Sequence, residues 1–429
     1  MTKPQKIFNI WILSTLFLFY FGPLEYDCNK ILAVGYIILF LIIANFMYYL
    51  GTHVKIRVPR KRLKKNYDFI IKNSIYFSFF ITLALLLEAF VKYGFKSFSI
   101  TSIISQMANT YSFQDDYVFM ISAWILSYTK WIRIIALVLG SYYWGKIGII
   151  QKIMYIVMCA IIVVYNTLYA GSQKELIDLA IYILIPIICR WIKQSKRLSP
   201  WKIILIIAGF CTGVVFLGSV INSRHQLWQS MFNSSKSTGA NYSNWIYKLL
   251  PSSVAESITY LLSYLTQGYR GLALCLTLPF KWSFGMGSSF KLMNDVSRWF
   301  SIPLSVLETS YPVRMEAQYG IGAYSYWNTI FPWIASDFTF IGAIFVVGIF
   351  IYYWAKAWRE FIKIGSWISI VMFTHLSILV LYIPCNNQLF QTRDSIVASL
   401  AIFILWYFFH GRITENNQKG DLINEKNIE

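Results

Sequence analysis

Long apolar runs recur along this chain and constrain its fold more than any other feature. Each run is roughly 17–22 residues long, the length that a helix needs to cross a hydrocarbon core about 30 Å thick at 1.5 Å per residue. The runs predict ten membrane-spanning segments, near 7–23, 31–50, 68–90, 118–144, 150–169, 176–191, 202–221, 338–355, 366–383 and 394–409.

The composition agrees with this interpretation, since 57% of the 429 residues are hydrophobic and only 13% are charged. A soluble core of this length could not bury so much apolar surface. An unpaired peptide group in hydrocarbon costs several kcal/mol, and the alternating segments of a membrane barrel are absent, so the spans must be helices. The predicted fold class is an all-α, polytopic integral membrane protein.

The formal net charge of +19 comes mostly from membrane topology. The predicted cytoplasmic segments hold roughly 22 Lys and Arg residues and the short outer loops about five, an asymmetry that orients helices. The first run follows only Lys3 and Lys6 and lacks a small-residue cleavage site, so we expect a retained first helix. Both termini are predicted to be cytoplasmic, and the polybasic loop at 55–65 is read as a membrane-surface anchor rather than a nucleic-acid site.

The sequence divides into four parts by hydropathy. Residues 1–221 carry spans 1–7, 222–337 form a large outer segment, 338–410 carry spans 8–10, and 411–429 form a polar tail that is predicted to be disordered. Within the outer segment, 253–280 has apolar residues at helical spacing, interrupted by Arg270. We expect an interfacial or re-entrant helix there, and if it spans with a partner the total becomes twelve.

Cofactor motifs are missing from the sequence. The six cysteines are scattered without CxxC spacing and are interpreted as core residues. The four histidines are dispersed, so no metal site is expected. The stretch GMGSSFK at 285–291 lacks the GK[ST] ending of a phosphate-binding loop, so a nucleotide donor is not expected either.

Lys130 and Arg133 lie inside the fourth run, where a charge costs a few kcal/mol or more. Three residues apart on a helix, they could present two cations to a cavity that holds an anionic head group. Alternatively, the span starts near Lys130 and both side chains snorkel to the outer interface.

The outer segment combines arginines with many aromatic residues. Arginine gives bidentate contacts to phosphate oxygens and aromatic rings stack on sugars, so the combination suggests a site for a phosphate-linked carbohydrate. An interfacial aromatic belt would also explain many of the rings. Groups that could move a proton are present without a diagnostic pair: His225, Glu256, Glu308, Glu316 and Asp337, with Glu175 and Asp178 beyond the fifth span.

Four stretches resemble the O-antigen polymerase family, also called Wzy-type oligosaccharide repeat-unit polymerases. They are YAGSQKELIDLAIYI at 169–183, YLTQGYRGLALCL at 264–276, FGMGSS at 284–289 and YSYWNTIFPWIASDFTFIGAIF at 324–345. The similarity covers the topology of the whole chain and detail only near 169–183 and 224–345. Family members often have Arg where this chain has Lys174.

The resemblance implies a GT-C-like glycosyltransferase in the bacterial plasma (inner) membrane. It would join undecaprenyl-diphosphate-linked repeat units of an O-antigen or capsule on the outer face, without metal or other cofactor, with undecaprenyl diphosphate as the leaving group. Its partners would be the lipid-linked donor and acceptor, membrane lipids and a chain-length regulator protein, with no nucleic acid.

The resemblance also implies roles for individual residues. Diphosphate contacts are expected from Arg270 and Arg314 first, then Arg224, with Lys174, Lys130 and Arg133 in support. His225 is the expected base, with Glu316 and Asp337 as alternatives, and the sugar-stacking candidates are Tyr269, Tyr319 and Trp327. A lipid-linked oligosaccharide flippase and a ligase of the O-antigen ligase type are the competing interpretations. Two similar halves with charges deep in a central cavity would favour the flippase.

Overall fold

The computed structural model of the chain describes residues 2–54, 67–94, 120–171, 173–194, 201, 239–303, 308–323 and 327–410. Within these ranges the helices are α1 (Lys3–Phe21), α2 (Lys30–His53), α3 (Tyr67–Tyr93), α4 (Ile121–Tyr142), α5 (Ile149–Leu168), α6 (Gln173–Lys193), α7 (Trp245–Leu249), α8 (Ser252–Cys275), α9 (Phe290–Phe300), α10 (Tyr311–Tyr319), α11 (Ile330–Ile364), α12 (Trp367–Tyr382) and α13 (Arg393–Phe409). Two strands of two residues, β1 (Leu24–Glu25) and β2 (Gly239–Ala240), pair antiparallel.

Five of these helices are long and apolar enough to cross a membrane: α2, α3, α4, α5 and α11. The class of a helical, multi-pass membrane protein is therefore confirmed. Helices also occupy four more predicted spans, whereas the predicted span at 202–221 and the tail at 411–429 lie outside the described residues. The count of ten spans stays a prediction.

The two ends of the helix bundle differ in what covers them. At one end Glu88 of α3 accepts hydrogen bonds from the backbone N–H groups that begin α4, and the β1–β2 pair joins the α1–α2 loop to residue 239. Because the described residues between 239 and 329 cover this end, we call it the cap end. At the opposite end Arg190 of α6 donates to the last carbonyls of α4, and Arg359 of α11 donates to the Val54 carbonyl.

Helix α12 lies at the centre of the described bundle, since nearly all of its residues are buried. A helix that is apolar on every face is typical of this position. Around it, α2 packs closely on α11, and a Cβ added at Gly51 would come within 2.4 Å of the Tyr352 carbonyl oxygen. Small residues that let two backbones approach in this way are a common means of helix association in membranes.

Helix α8 belongs to the cap but packs against the membrane bundle. The Tyr26 and Thr266 hydroxyl groups lie 2.6 Å apart, and the Tyr269 hydroxyl lies 2.8 Å from that of Thr15 in α1. The predicted stretch 253–280 therefore contains a helix, α8, whereas its interfacial or re-entrant placement and the division at 222–337 stay predictions.

Helix α11 contains a break at Thr339, whose φ of 62° and ψ of 167° are not helical. A positive φ is rare for a β-branched residue and implies strain. The Thr339 hydroxyl accepts a hydrogen bond from the Gly342 N–H, as a residue does at the start of a helix. The predicted start of a span at 338 thus coincides with this break, and the part of α11 before it contacts the cap.

Candidate functional site

A buried cluster of charges joins α4, α6 and α13 near the cap end. Lys130 Nζ lies 2.6 Å from Asp394 Oδ2 and 3.5 Å from Glu175 Oε1, and only 7% of its side chain is exposed. The two carboxylates come from the first turns of α6 and α13, which begin at this end. Lys130 is therefore buried and paired inside the protein, and the depth at which it lies in the membrane stays a prediction.

Arg133 and Lys174 border the cluster without ion-pair partners among the described residues. Arg133 lines a cavity of about 10 Å³ together with Lys130, Glu175, Asp178 and Tyr182. A cavity of this size holds about one water molecule. The structure therefore brings Lys130, Arg133 and Lys174 into one region, but the charge of Lys130 is already balanced by carboxylates.

Asp178 connects this cluster to the loop at 384–392, which we call the junction loop. Its carboxylate is buried, and Gln388 Nε2 donates to Oδ2 over 2.7 Å. Oδ1 has no hydrogen-bond partner among the described residues. Asn386 and Asn387 of the same loop are also buried, with 2% and 1% exposure, so this polar loop is an internal part of the molecule.

The junction loop is also bonded to the cap. Asn387 Nδ2 donates to the Ser288 carbonyl over 2.8 Å, and the Ser289 hydroxyl donates to the Gln391 carbonyl over 3.2 Å. Next to the loop, Arg393 makes a two-pronged contact to Asp295 of α9, with N–O distances of 2.7 and 2.9 Å. The loop therefore connects the cap to the buried charge cluster.

Arg270 and Arg314 lie on α8 and α10, which pack against each other in the cap. Arg270 Nε and Arg314 Nη2 are buried without acceptors among the described residues. Arg314 lies over the Tyr311 ring at 4.8 Å and donates to the Thr309 carbonyl.

The two arginines lie near different cysteines. Burial raises the pKa of the Cys28 thiol to about 11, although the nearby charge of Arg270 acts in the opposite direction. Burial also raises the pKa of Cys275, against the opposing effect of the Arg314 charge.

The three sugar-stacking candidates have different surroundings. Tyr269 is 0% exposed and packs on Phe19, so it has no free face in this structure and its placement favours a packing role. The Tyr319 hydroxyl lies 3.0 Å from that of Thr277. Trp327 is half-buried and contacts the rings of Tyr264 and Tyr382, with centroid distances of 5.1 and 6.2 Å.

The carboxylates of the alternative bases are already bound to backbone groups. Glu316 Oε2 accepts from the Ala323 N–H over 3.0 Å. Asp337 accepts from the N–H groups of Gly285 and Ser288, over 2.9 and 3.2 Å, and so fixes the turn within FGMGSS. Arg224 and His225 lie outside the described residues.

Among the described residues, no three His, Cys, Asp or Glu side chains are grouped closely enough to hold a metal ion. The described cysteines are free thiols, three of them buried, as the core interpretation predicts, whereas Cys211 lies outside the described residues. Comparison of the chain with family models, with curated proteins and with solved structures finds no match.

Neither the junction loop nor the pairing of Lys130 is predicted from the sequence. The three polar residues at 386–388 stand between two predicted spans, where a solvated turn is the default expectation. Their number in so short a connection is the one signal that could have been noticed. Lys130 and Asp394 are 264 residues apart, so spacing alone could not pair them.

Proposed function

We propose that the protein is a membrane glycosyltransferase that joins oligosaccharide repeat units carried on undecaprenyl diphosphate. Transfer takes place at the cap end, which faces outward from the bacterial plasma membrane, with both termini in the cytoplasm. The two arginines of the cap bind the diphosphate, and the half-buried Trp327 stacks on a sugar. Lys174 and Arg133 attract the anionic lipid toward the bundle.

One observation carries this proposal. Arg270 and Arg314 keep buried N–H groups without acceptors, and neither forms an ion pair with a described carboxylate. A buried donor without a partner loses the energy of its hydrogen bond to water, about 1–3 kcal/mol. Phosphate oxygens would satisfy such donors, and the fixed positive charge would stabilise the negative charge that builds on the leaving diphosphate.

Turnover by the purified protein tests the proposal. The protein is placed in lipid nanodiscs with a synthetic undecaprenyl-diphosphate-linked repeat unit, and the products are separated by length. We expect a ladder of polymers from the wild type. Arg270→Ala and Arg314→Ala should slow its formation about 100-fold, as the loss of a donor to a developing oxyanion does.

Arg298→Ala is the matched control, because Arg298 is an exposed arginine of the same cap. Its ladder should form at the wild-type rate. Unchanged rates in both Arg270→Ala and Arg314→Ala would remove the diphosphate site from the cap. A single transfer to a different acceptor, without a ladder, would identify a ligase.

The sidedness of the cap has its own test. Single cysteines replace Trp299, which is 64% exposed in the cap, and Lys363, which is exposed at the opposite end, in a cysteine-free chain. A membrane-impermeant thiol reagent added to whole cells should label position 299 and spare position 363. The reverse pattern would place the cap in the cytosol and end the proposal.

The buried Lys130 cluster favours a second candidate, a transporter of lipid-linked oligosaccharides. Ionisable residues inside a membrane bundle commonly mark a transport pathway. Liposomes that contain the protein and a fluorescent lipid-linked sugar distinguish the two functions. A transporter moves the label between leaflets without lengthening it, whereas a polymerase lengthens it.

A further inference from the structure

Asp178 has an environment that none of the other described carboxylates at the cap end shares. Its side chain is 6% exposed, with Oδ2 bound to Gln388 and Oδ1 without a partner. It also lines the cavity of about 10 Å³ beside Arg133 and Tyr182. One oxygen is thus held in place, while the other has no hydrogen-bond partner among the described residues.

Five other carboxylates near the cap end already have partners. Glu175 and Asp394 pair with Lys130, and Asp295 is held by Arg393. Glu316 and Asp337 accept hydrogen bonds from backbone N–H groups.

Asp178 also lies close to the proposed sugar-binding surface. The Tyr382 ring contacts Trp327 at 6.2 Å, and its hydroxyl lies beside the Asp178 carboxylate. That hydroxyl is buried. The backbone at 330 bonds to the Ile383 carbonyl, so the segment that carries Trp327 runs alongside the start of the junction loop.

We propose that Asp178 accepts the proton of the attacking hydroxyl group and that Gln388 positions its carboxylate, a role that rests on the proposed glycosyl transfer. The acceptor oxygen forms a bond to the anomeric carbon of the donor. The bond from that carbon to the diphosphate oxygen breaks, and its electron pair leaves with the diphosphate. The proton of the hydroxyl group passes to Asp178 Oδ1 and from there to solvent.

Charged and titratable groups of four helices surround this carboxylate, so its behaviour with pH depends on all of them. They are Lys130 and Arg133 of α4, Lys174, Glu175 and Tyr182 of α6, Tyr382 of α12 and Asp394 of α13. A base acts only when ionised, so the wild-type rate should fall on the acidic side of its pH profile.

The test measures turnover of the lipid-linked repeat unit by purified variants in nanodiscs, together with donor binding. Asp178→Asn should lower kcat at least about 100-fold, the usual contribution of a general base, while the affinity for the donor stays within about threefold. Asp178→Glu should recover part of the rate. Glu308→Gln, which changes an exposed carboxylate of the cap, should keep the wild-type rate.

Gln388→Leu separates a positioning role from a structural one and serves if Asp178→Asn does not fold. Without the Gln388 donor the ionised carboxylate loses a hydrogen bond, so the acidic limb of the rate profile should move to higher pH. If the acidic limb of the rate profile of Gln388→Leu stays at the wild-type pH, the proposal is overturned. So would a folded Asp178→Asn variant that makes the ladder at the wild-type rate.

The outcomes distinguish this inference from the function beneath it. If the wild type makes the ladder and Asp178→Asn makes it at the same rate, the proposed role of Asp178 is wrong and the proposed polymerase function stands. The absence of any product from folded, donor-binding wild-type protein overturns the proposed function, and the role of Asp178 falls with it.

Discussion

The two ends of the bundle differ in how their buried charged groups are bound. At the end away from the cap, Glu360 is 1% exposed and accepts from Ser369 and Trp406 over 2.9 and 3.1 Å. At the cap end, Asp178 and the two cap arginines keep polar atoms without described partners. Polar groups with partners stabilise a fold, whereas groups without partners are available to bind a ligand, so the difference supports the proposed site at the cap end.

The cap end also contains a link between the cap and the buried charge cluster. Arg393 and Asp394 are neighbours in sequence, yet one is bound to the cap through Asp295 and the other to Lys130 inside the bundle. Moving the cap would therefore strain the Lys130 pair. The predictions below probe how far the two ends differ in stability and in their effect on turnover.

The largest effect is expected from breaking the Lys130 pair. Asp394→Asn should lower the free energy of unfolding by about 4 kcal/mol, because it leaves a buried ammonium group short of its closest counter-charge. The measurement is unfolding in mixed micelles. The double variant Lys130→Met, Asp394→Leu should regain most of the loss, and a double variant as unstable as Asp394→Asn would show that the charges are not the cause.

A steric test examines the contact between the cap and the junction loop. A Cβ at Gly268 would come within 2.2 Å of the Pro384 carbonyl oxygen, and backbone cannot easily move away. Gly268→Ala should therefore lower the free energy of unfolding by about 3 kcal/mol. Gly35→Ala is the control, since nothing lies within 4 Å of its added Cβ, and equal effects at both positions would contradict the packing described.

The link between α9 and α13 should contribute less. Arg393→Ala removes two charged hydrogen bonds from Asp295, which is 5% exposed, and should cost about 2 kcal/mol in unfolding. Lys291→Ala is the comparison. Lys291 Nζ lies 3.7 Å from the same carboxylate, and 41% of the Lys291 side chain is exposed. It should change unfolding by less than about 0.5 kcal/mol. A larger effect at Lys291 would show that the link is assigned to the wrong cation.

The smallest effect is expected at the far end. Glu360→Gln keeps a carbonyl oxygen for Ser369 or Trp406 and should cost about 1 kcal/mol in unfolding, with the rate of ladder formation unchanged. A folded variant with impaired turnover would mean that the opposite end also takes part in function.

Much of the fold could be predicted from the sequence, because lipid requires long apolar helices and their lengths leave little choice. The predicted span 31–50 corresponds to the helix Lys30–His53, and the predicted span 394–409 corresponds to the helix Arg393–Phe409. The helical residues of α11 from Ile330 to the break at Thr339 could not be predicted, because a backbone break of this kind has no signature in the amino-acid composition.

The candidate site was less predictable than the helices. Arg270 and Arg314 could be selected as cations of the outer segment, but their orientation depends on how α8 packs. Tyr269 and Trp327 are both aromatic residues of the predicted outer segment, and the sequence does not distinguish them as sugar-stacking candidates. In the structure Tyr269 is buried against α1, whereas Trp327 is half-buried. Asp178 stands out only once Gln388, 210 residues away, is placed beside it.

Photo-crosslinking tests the central claim, that substrate binds at the cap end, most directly. A polyprenyl-diphosphate sugar with a photoreactive group on its first isoprene unit is irradiated with the protein in nanodiscs, and the labelled peptides are mapped by mass spectrometry. The account predicts labels in α8, α10 and the junction loop that excess unlabelled substrate removes. Competed labels confined to the ends of α4 and α6 near Arg190, or to the α11–α12 connection, would contradict it.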